Sequence, residues 1–183
     1  MRSMPAFTPD RSTTMDYSGF LYRALNPLWA SSPLSGEGAA RFGGRFNPKG
    51  MPALYTSLRP ETAMREANQV GAFQPITLVA YRAEIVRVFD GTDPVALSKL
   101  GISVATLADC RWRDTMLAGS IPATQQLAID LKVQRYAGIL VPSFAPHAQA
   151  DDRNLVLWTW GQQPPAVLQL IDDQGRLSSP PQA

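Results

Sequence analysis

Apolar residues gather in short runs near both ends of the chain and recur with helical spacing in its middle. "FLYRAL" (20–25) predicts a strand, and "RFGGRFN" (41–47) predicts an extended segment ending at the turn "NPKGMP". "ALYTS" (53–57) predicts a further strand. "RPETAMREANQVG" predicts a helix over residues 60–71, with Pro60 in its first turn and Gly71 as its stop. Two β-rich runs follow, "ITLVAYRAEI" and "VRVFD". "DPVALSKLG" predicts a short helix, and the stretch through "ATLADCRWRDTMLAG" also takes the helical pattern. "IPATQQLAIDLKVQRYAG" predicts a longer helix, with Pro122 near its start and Gly138 just past its end. "ILVPS", "NLVLWTW" and "AVLQLID" predict three more strands. Strands at both ends with helices between them imply an α+β fold, a single domain built on a mixed or antiparallel sheet. The domain is expected over residues 17–176, with a flexible start (1–16) and a flexible tail (177–183, "LSSPPQA").

Composition narrows the function. With 183 residues, 45% hydrophobic and 17% charged, the chain can bury a core without disulfides or metal. A net charge of +2 is too weak to argue direct nucleic-acid binding on charge alone. One cysteine, Cys110, excludes an internal disulfide and fits a reducing cytoplasm; it is expected to be a buried, inert thiol. The first sixteen residues hold no apolar leader core, and no run reaches the ~18 apolar residues of a membrane span. The single histidine, His147, sits in the polar stretch "APHAQADDRN" and is expected to be solvated. One His and one Cys do not make a zinc set, nor do they favour Ser-His or Cys-His catalysis. No phosphate loop occurs, and "GEGAAR" matches the dinucleotide fingerprint only by half. Any chemistry must run without imidazole, metal or P-loop.

Several polar residues remain to be explained. On the helix over 60–71, Ala63, Ala67 and Val70 define an inner face. Glu66 lies about 60° from Ala63 and about 40° from Val70 around the axis, whereas Glu61 and Arg65 point away. Glu66 is thus either a boundary carboxylate reaching solvent or a carboxylate held over a cleft. Arg23 and Arg45 stand in apolar or glycine-rich surroundings. Their planar forks suit a diphosphate, and Gly44 would let a ligand approach the backbone, although two structural salt bridges would use the same residues. Ser143 ends "ILVPS", where its hydroxyl either lines a cleft or serves a turn. Tyr55 is either core or a flat face for an aromatic ligand. Trp112, Trp158 and Trp160 fit core or cleft-wall packing.

In order along the chain, "YRAL", "GGRFN-x-x-G-x-x-ALYTS", "ETAMREA" and "VPS" resemble the RES-domain family, over roughly residues 20–155. The segment from Gly43 to Glu66 is the specific part of the match; Phe46 replaces the tryptophan of the family's central motif. The resemblance implies a fold similar to ADP-ribosyltransferases and a bacterial toxin that consumes NAD as co-substrate. It places the family's catalytic positions on Arg23, Glu66 and Ser143, and its NAD-binding positions on Gly44, Arg45, Asn47 and Tyr55. After Ser143, Asn154 matches. It leaves Arg41 unassigned. It also implies a helix-turn-helix antitoxin as partner and an acceptor that is water, phosphate or a cytoplasmic metabolic enzyme. Two other classes stay in view. A toxin acting on RNA would need a basic stripe or metal-binding carboxylates. A non-catalytic interaction module would neither bind NAD nor need Glu66.

Overall fold

The computed structural model describes residues 14–68 and 74–177. Strand β1 (Thr14–Leu25) lies antiparallel to β3 (Thr77–Asp90) along nearly its whole length, from Thr14↔Phe89 to Leu25↔Thr77. On its other side β1 meets β2 (Leu54–Ser57) at Tyr22↔Ser57. Strand β2 pairs antiparallel with β5 (Arg153–Leu157), and β5 with β4 (Gly138–Pro142). Strand β4 then returns to β3 in parallel register. Five strands therefore close on themselves, and β6 (Ala166–Leu170) adds to β3 beside them. The closure is short at two seams, one residue pair between β1 and β2 and three between β3 and β4.

Alternation along the strands feeds two cores. Leu155 and Leu157 join a cluster drawn from all six strands, with Leu21, Leu54, Tyr81, Leu140 and Leu168. Val156 and Trp158 point the other way, joining Ile139 and Val141 under the helices α3 (Pro94–Lys99), α4 (Val104–Ala108) and α6 (Ala123–Val133). Each fully buried aliphatic side chain contributes roughly 1.5–3 kcal/mol. The helix that matters for function, α2 (Pro60–Ala67), packs instead on β1 and β2.

The expected α+β class with a mixed sheet is what the chain adopts. Several elements differ in detail. The strand β1 begins at Thr14, so Thr14 and Met15 of the expected flexible start are paired with β3, and Asp16 sits at a bulge between Met15 and Tyr17. Residues 41–47 are not a strand. Arg41 and Phe42 close helix α1 (Glu37–Phe42), Gly43 turns the chain at φ +73°, and Gly44 and Asn47 form an isolated bridge. Two alanines inside α1 and a glycine just past it favour that helix over extension.

The two β-rich runs after residue 75 are one strand. It bends at Arg87 (φ +63°), whose N–H donates to Asp16 Oδ1 at the bulge in β1. The stretch 105–119 splits into α4 and α5 (Trp112–Leu117). Asp109 Oδ1 accepts from Arg111 N and makes the turn between them. Cys110 lies in that turn and is exposed, not buried as expected. Helix α6 stops at Val133, and Arg135 takes the left-handed conformation. Gly138 is the first residue of β4 and no helix stop; a Cβ there would strike the Val156 carbonyl oxygen across the sheet. Val70, Gly71 and the tail from 178 lie outside the described residues.

Candidate active site

Helix α2 starts on Pro60 and is anchored from one side. Thr62 and Ala63 are buried, while Glu61 is exposed and Glu66 half-buried. Thr62 Oγ1 donates to Asp152 Oδ1 at 2.6 Å, and Arg65 forms an ion pair with Asp152 Oδ2. Arg65 was expected to face away; it reaches back because Asp152, 1% exposed, supplies a charge to meet. Ala67, expected on the inner face, is exposed in the mouth of a cleft. Burial pushes the Asp152 carboxyl up, but hydrogen bonds from Thr62, the Gln149 backbone and Arg65 outweigh it, and the net direction is down.

Glu66 is held by two side-chain donors on one oxygen. Ser143 Oγ donates to Oε1 at 2.6 Å and Asn154 Nδ2 donates to the same atom at 2.5 Å. Asn154 is itself fixed: its Oδ1 accepts from Ser57 Oγ at 2.7 Å. Register brings these groups together. Ser57 on β2 stands opposite Asn154 on β5, and Asn154 stands opposite Val141 on β4, two residues before Ser143. Hydrogen bonds to a carboxylate are the stronger kind, and two of them fix the orientation of the group.

Beside Glu66 opens a cleft of about 320 Å³, at the small end of ligand sites of ~300–1,000 Å³. Tyr22, Arg23, Tyr55, Ser57, Glu66 and Asn154 are among its walls. Arg23 Nη1 donates to the carbonyls of Pro33 and Ser35, at 3.1 and 3.0 Å, so this arginine also holds the loop after β1. Burial lowers the Arg23 guanidinium below its ordinary value, against the pull of Tyr81. Tyr81 donates to the same Pro33 carbonyl, and burial pushes its phenol up to about 12.

The glycine motif backs one lining residue, Tyr55. Tyr55 donates its hydroxyl to Asn47 Oδ1 at 2.7 Å and accepts from Phe46 N at 3.0 Å. Burial raises this phenol far above its usual range, so it remains a donor. Asn47 is fully buried and gives its amide to the carbonyls of Ala39 and Met51, at 2.8 and 2.9 Å. A Cβ on Gly44 would strike the Tyr55 hydroxyl, so the close approach that Gly44 permits is that of Tyr55. Gly44 and Asn47 thus bear on the cleft through the tyrosine ring.

Arg45 does not line the cleft. Its Nη1 donates to the Leu107 and Asp109 carbonyls, at 2.9 and 2.8 Å, and its guanidinium lies 4.8 Å from the Phe144 ring centroid and 5.8 Å from that of Trp112. It is tied to the end of α4 because residues 41–43 form a helix end rather than a strand. Burial lowers its guanidinium from the ordinary value, and Glu66 works in the other direction.

The structure thus brings Arg23, Tyr55, Glu66, Ser143 and Asn154 together and sets Arg45, Gly44 and Asn47 behind them. Sequence reasoning missed Ser57, Thr62 and Asp152. The one available signal was "DDRN", acids and an amide at the mouth of an apolar strand. His147 is exposed in the β4–β5 connection, and among the described residues no group of three or more His, Cys, Asp or Glu is placed to hold a metal ion. Among them, too, no helix is long and apolar enough to cross a membrane.

The family model described as the RES domain matches residues 20–179. Comparison with curated proteins found no significant match. Among solved structures, the chain is similar to one in the M. tuberculosis MbcT–MbcA toxin–antitoxin complex, with a TM-score of 0.59 and 24% identity over 87% of this chain and 85% of that one. At that identity the likeness is one of fold.

Proposed function

The chain belongs to the RES-domain family, and on that premise we propose that it is a toxin of a toxin–antitoxin pair, an enzyme that cleaves the nicotinamide–ribose bond of NAD. The observation that carries this reading is Glu66, a carboxylate oriented by Ser143 and Asn154 at the wall of a cleft with aromatic and cationic sides.

The reaction asks for little else. Nicotinamide is cationic while joined to ribose, and the bonding pair leaves with it as a neutral base, so no general acid is needed. The transition state resembles an oxocarbenium ion, as in glycoside hydrolysis. Glu66 faces the positive charge that develops on the ribose and holds a ribose hydroxyl, a contribution of about 3–4 kcal/mol in comparable sites. Arg23, at the cleft wall, grips the pyrophosphate and orients the dinucleotide. Tyr55 packs on the nicotinamide ring. Ser143 keeps Glu66 in place. Arg45 acts from behind the wall, through its charge near Glu66 and through the α4 end that it holds. The new bond to ribose is made by water, phosphate or a protein side chain, whose proton passes to solvent. Such a toxin works in the cytoplasm, and a helix-turn-helix antitoxin neutralises it; the similar structure comes from a toxin–antitoxin complex.

The test is product analysis with NAD, with and without phosphate and cell lysate. Nicotinamide should appear and added RNA should stay intact. NAD that survives in every mixture, with no thermal shift on its addition, removes the proposal.

A further inference from the structure

Asp152 is outside the cleft, yet it is bonded to each element that holds Glu66. Its carboxylate accepts from Thr62 and Arg65 on α2 and from Gln149 N, at 2.8 Å, in the β4–β5 connection. Its main-chain carbonyl accepts from Ser143 N at 3.0 Å, and Asn154 follows two residues later. Thr62 and Glu66 are one helical turn apart on α2. Two neighbouring contacts therefore join the entrance of β5 to that helix: Asp152 with Thr62 and Arg65, then Asn154 with Glu66.

We infer that Asp152 is a positioning residue, a buried carboxylate that clamps α2 to the β4–β5 connection so that Glu66 keeps both of its donors. This rests on the reading of Glu66 as the carboxylate that acts at the NAD bond. The bland alternative is an ion pair that only stabilises the fold. It explains little here. Arg65 is 34% exposed, so solvent screens the pair, and burying Asp152 opposes the gain. The consistent consequence of its contacts is geometric: Glu66, Ser143 and Asn154 are set against one another by one side chain and its backbone.

The test compares the wild-type chain with Asp152→Asn and Arg65→Met at a temperature where all are folded. Two quantities are read: kcat and KM for NAD, and the NMR signals of the Asn154 side-chain amide, assigned by their loss in Asn154→Ser. In both variants kcat should fall roughly tenfold or more, as for a displaced catalytic group, with KM within about twofold. The Asn154 amide signals should move as the bond to Glu66 lengthens. A lowered melting temperature with unchanged kcat and unmoved Asn154 signals overturns the inference. If the wild-type chain consumes no NAD, the functional reading fails separately. The amide signals then decide alone: movement supports the clamp, and constancy overturns it. Should Asp152→Asn not fold, Arg65→Met, altered at a partly exposed site, carries the test.

Discussion

Asn154 donates its amide to Glu66 Oε1 and accepts the Ser57 hydroxyl on its own carbonyl, so the orientation of the carboxylate is set from β2 through β5. An amide can do this because it is donor and acceptor at once. Asn154→Ala should leave both Ser57 and Glu66 short of a partner, at about 1–3 kcal/mol of stability. Under the proposed chemistry, turnover of NAD should fall more than its binding does. Steady-state kinetics beside a melting curve would show it, and an unchanged kcat would mean that the Asn154 bond is not what orients Glu66.

Gly44→Ala should disturb the tyrosine wall. The new methyl meets the Tyr55 hydroxyl and Asn47 Oδ1. The cost expected of an overpacked site is about 1–3 kcal/mol. Tyr55 can move only by giving up its bond to Asn47, so the KM for NAD should rise along with the loss of stability. A drop in melting temperature with KM intact would separate Tyr55 from the substrate.

Arg45→Lys separates grip from scaffold. Lysine keeps the charge but loses the planar guanidinium, whose Nη1 reaches two carbonyls while its carbon lies near the Phe144 and Trp112 rings. With Arg45 behind the cleft, the melting temperature should drop and the KM for NAD should change by no more than about threefold, well under the tenfold that 1.4 kcal/mol of lost binding would give. A larger rise in KM would return Arg45 to the pyrophosphate.

The sequence showed the strands that alternate and the helix that carries Glu66, because a two-residue period reports directly on a sheet face and a period of about 3.6 residues on a helix face. It did not show how Arg45 would point. That depends on whether residues 41–43 extend or coil, and Gly43, in the left-handed region at φ +73° with no room for a Cβ beside Met116, ends a helix there. Asn47 carried the right motif and a different job: with its amide on Ala39 and Met51 it fixes the loop, and only Tyr55 extends that order to the cleft. Asp152 was hidden for another reason. An acid beside another acid in a polar loop reads as solvated until the fold supplies Thr62 and Arg65, some ninety residues earlier in the chain.

Asp152 should also leave a mark on acid stability. Its folded pKa is depressed, so it contributes stability above the unfolded value, about 3.9, and loses that contribution as pH falls through the folded value. The stability difference between wild type and Asp152→Asn should therefore be level from neutral pH to about 5 and close below about 4. Urea midpoints at several pH values would measure it. A difference that grows toward acid has the opposite sign and would mean that the carboxyl is held protonated.

The decisive substitution is Glu66→Gln. Glutamine keeps the length of the side chain and an oxygen to accept from Ser143 and Asn154, and removes the negative charge. If that charge answers the positive ribose of the transition state, the loss should fall on turnover, by about 10²–10³, with NAD still bound. Expression of the variant should no longer arrest growth. Glu61→Gln is the internal control. It lies on the exposed side of the same helix and should change stability by about 0.5 kcal/mol or less and activity not at all. Single-turnover nicotinamide release, measured beside an NAD thermal-shift titration, separates chemistry from binding. Equal release by the two variants would take the catalytic role from Glu66, and the cleft would then be a binding site without chemistry.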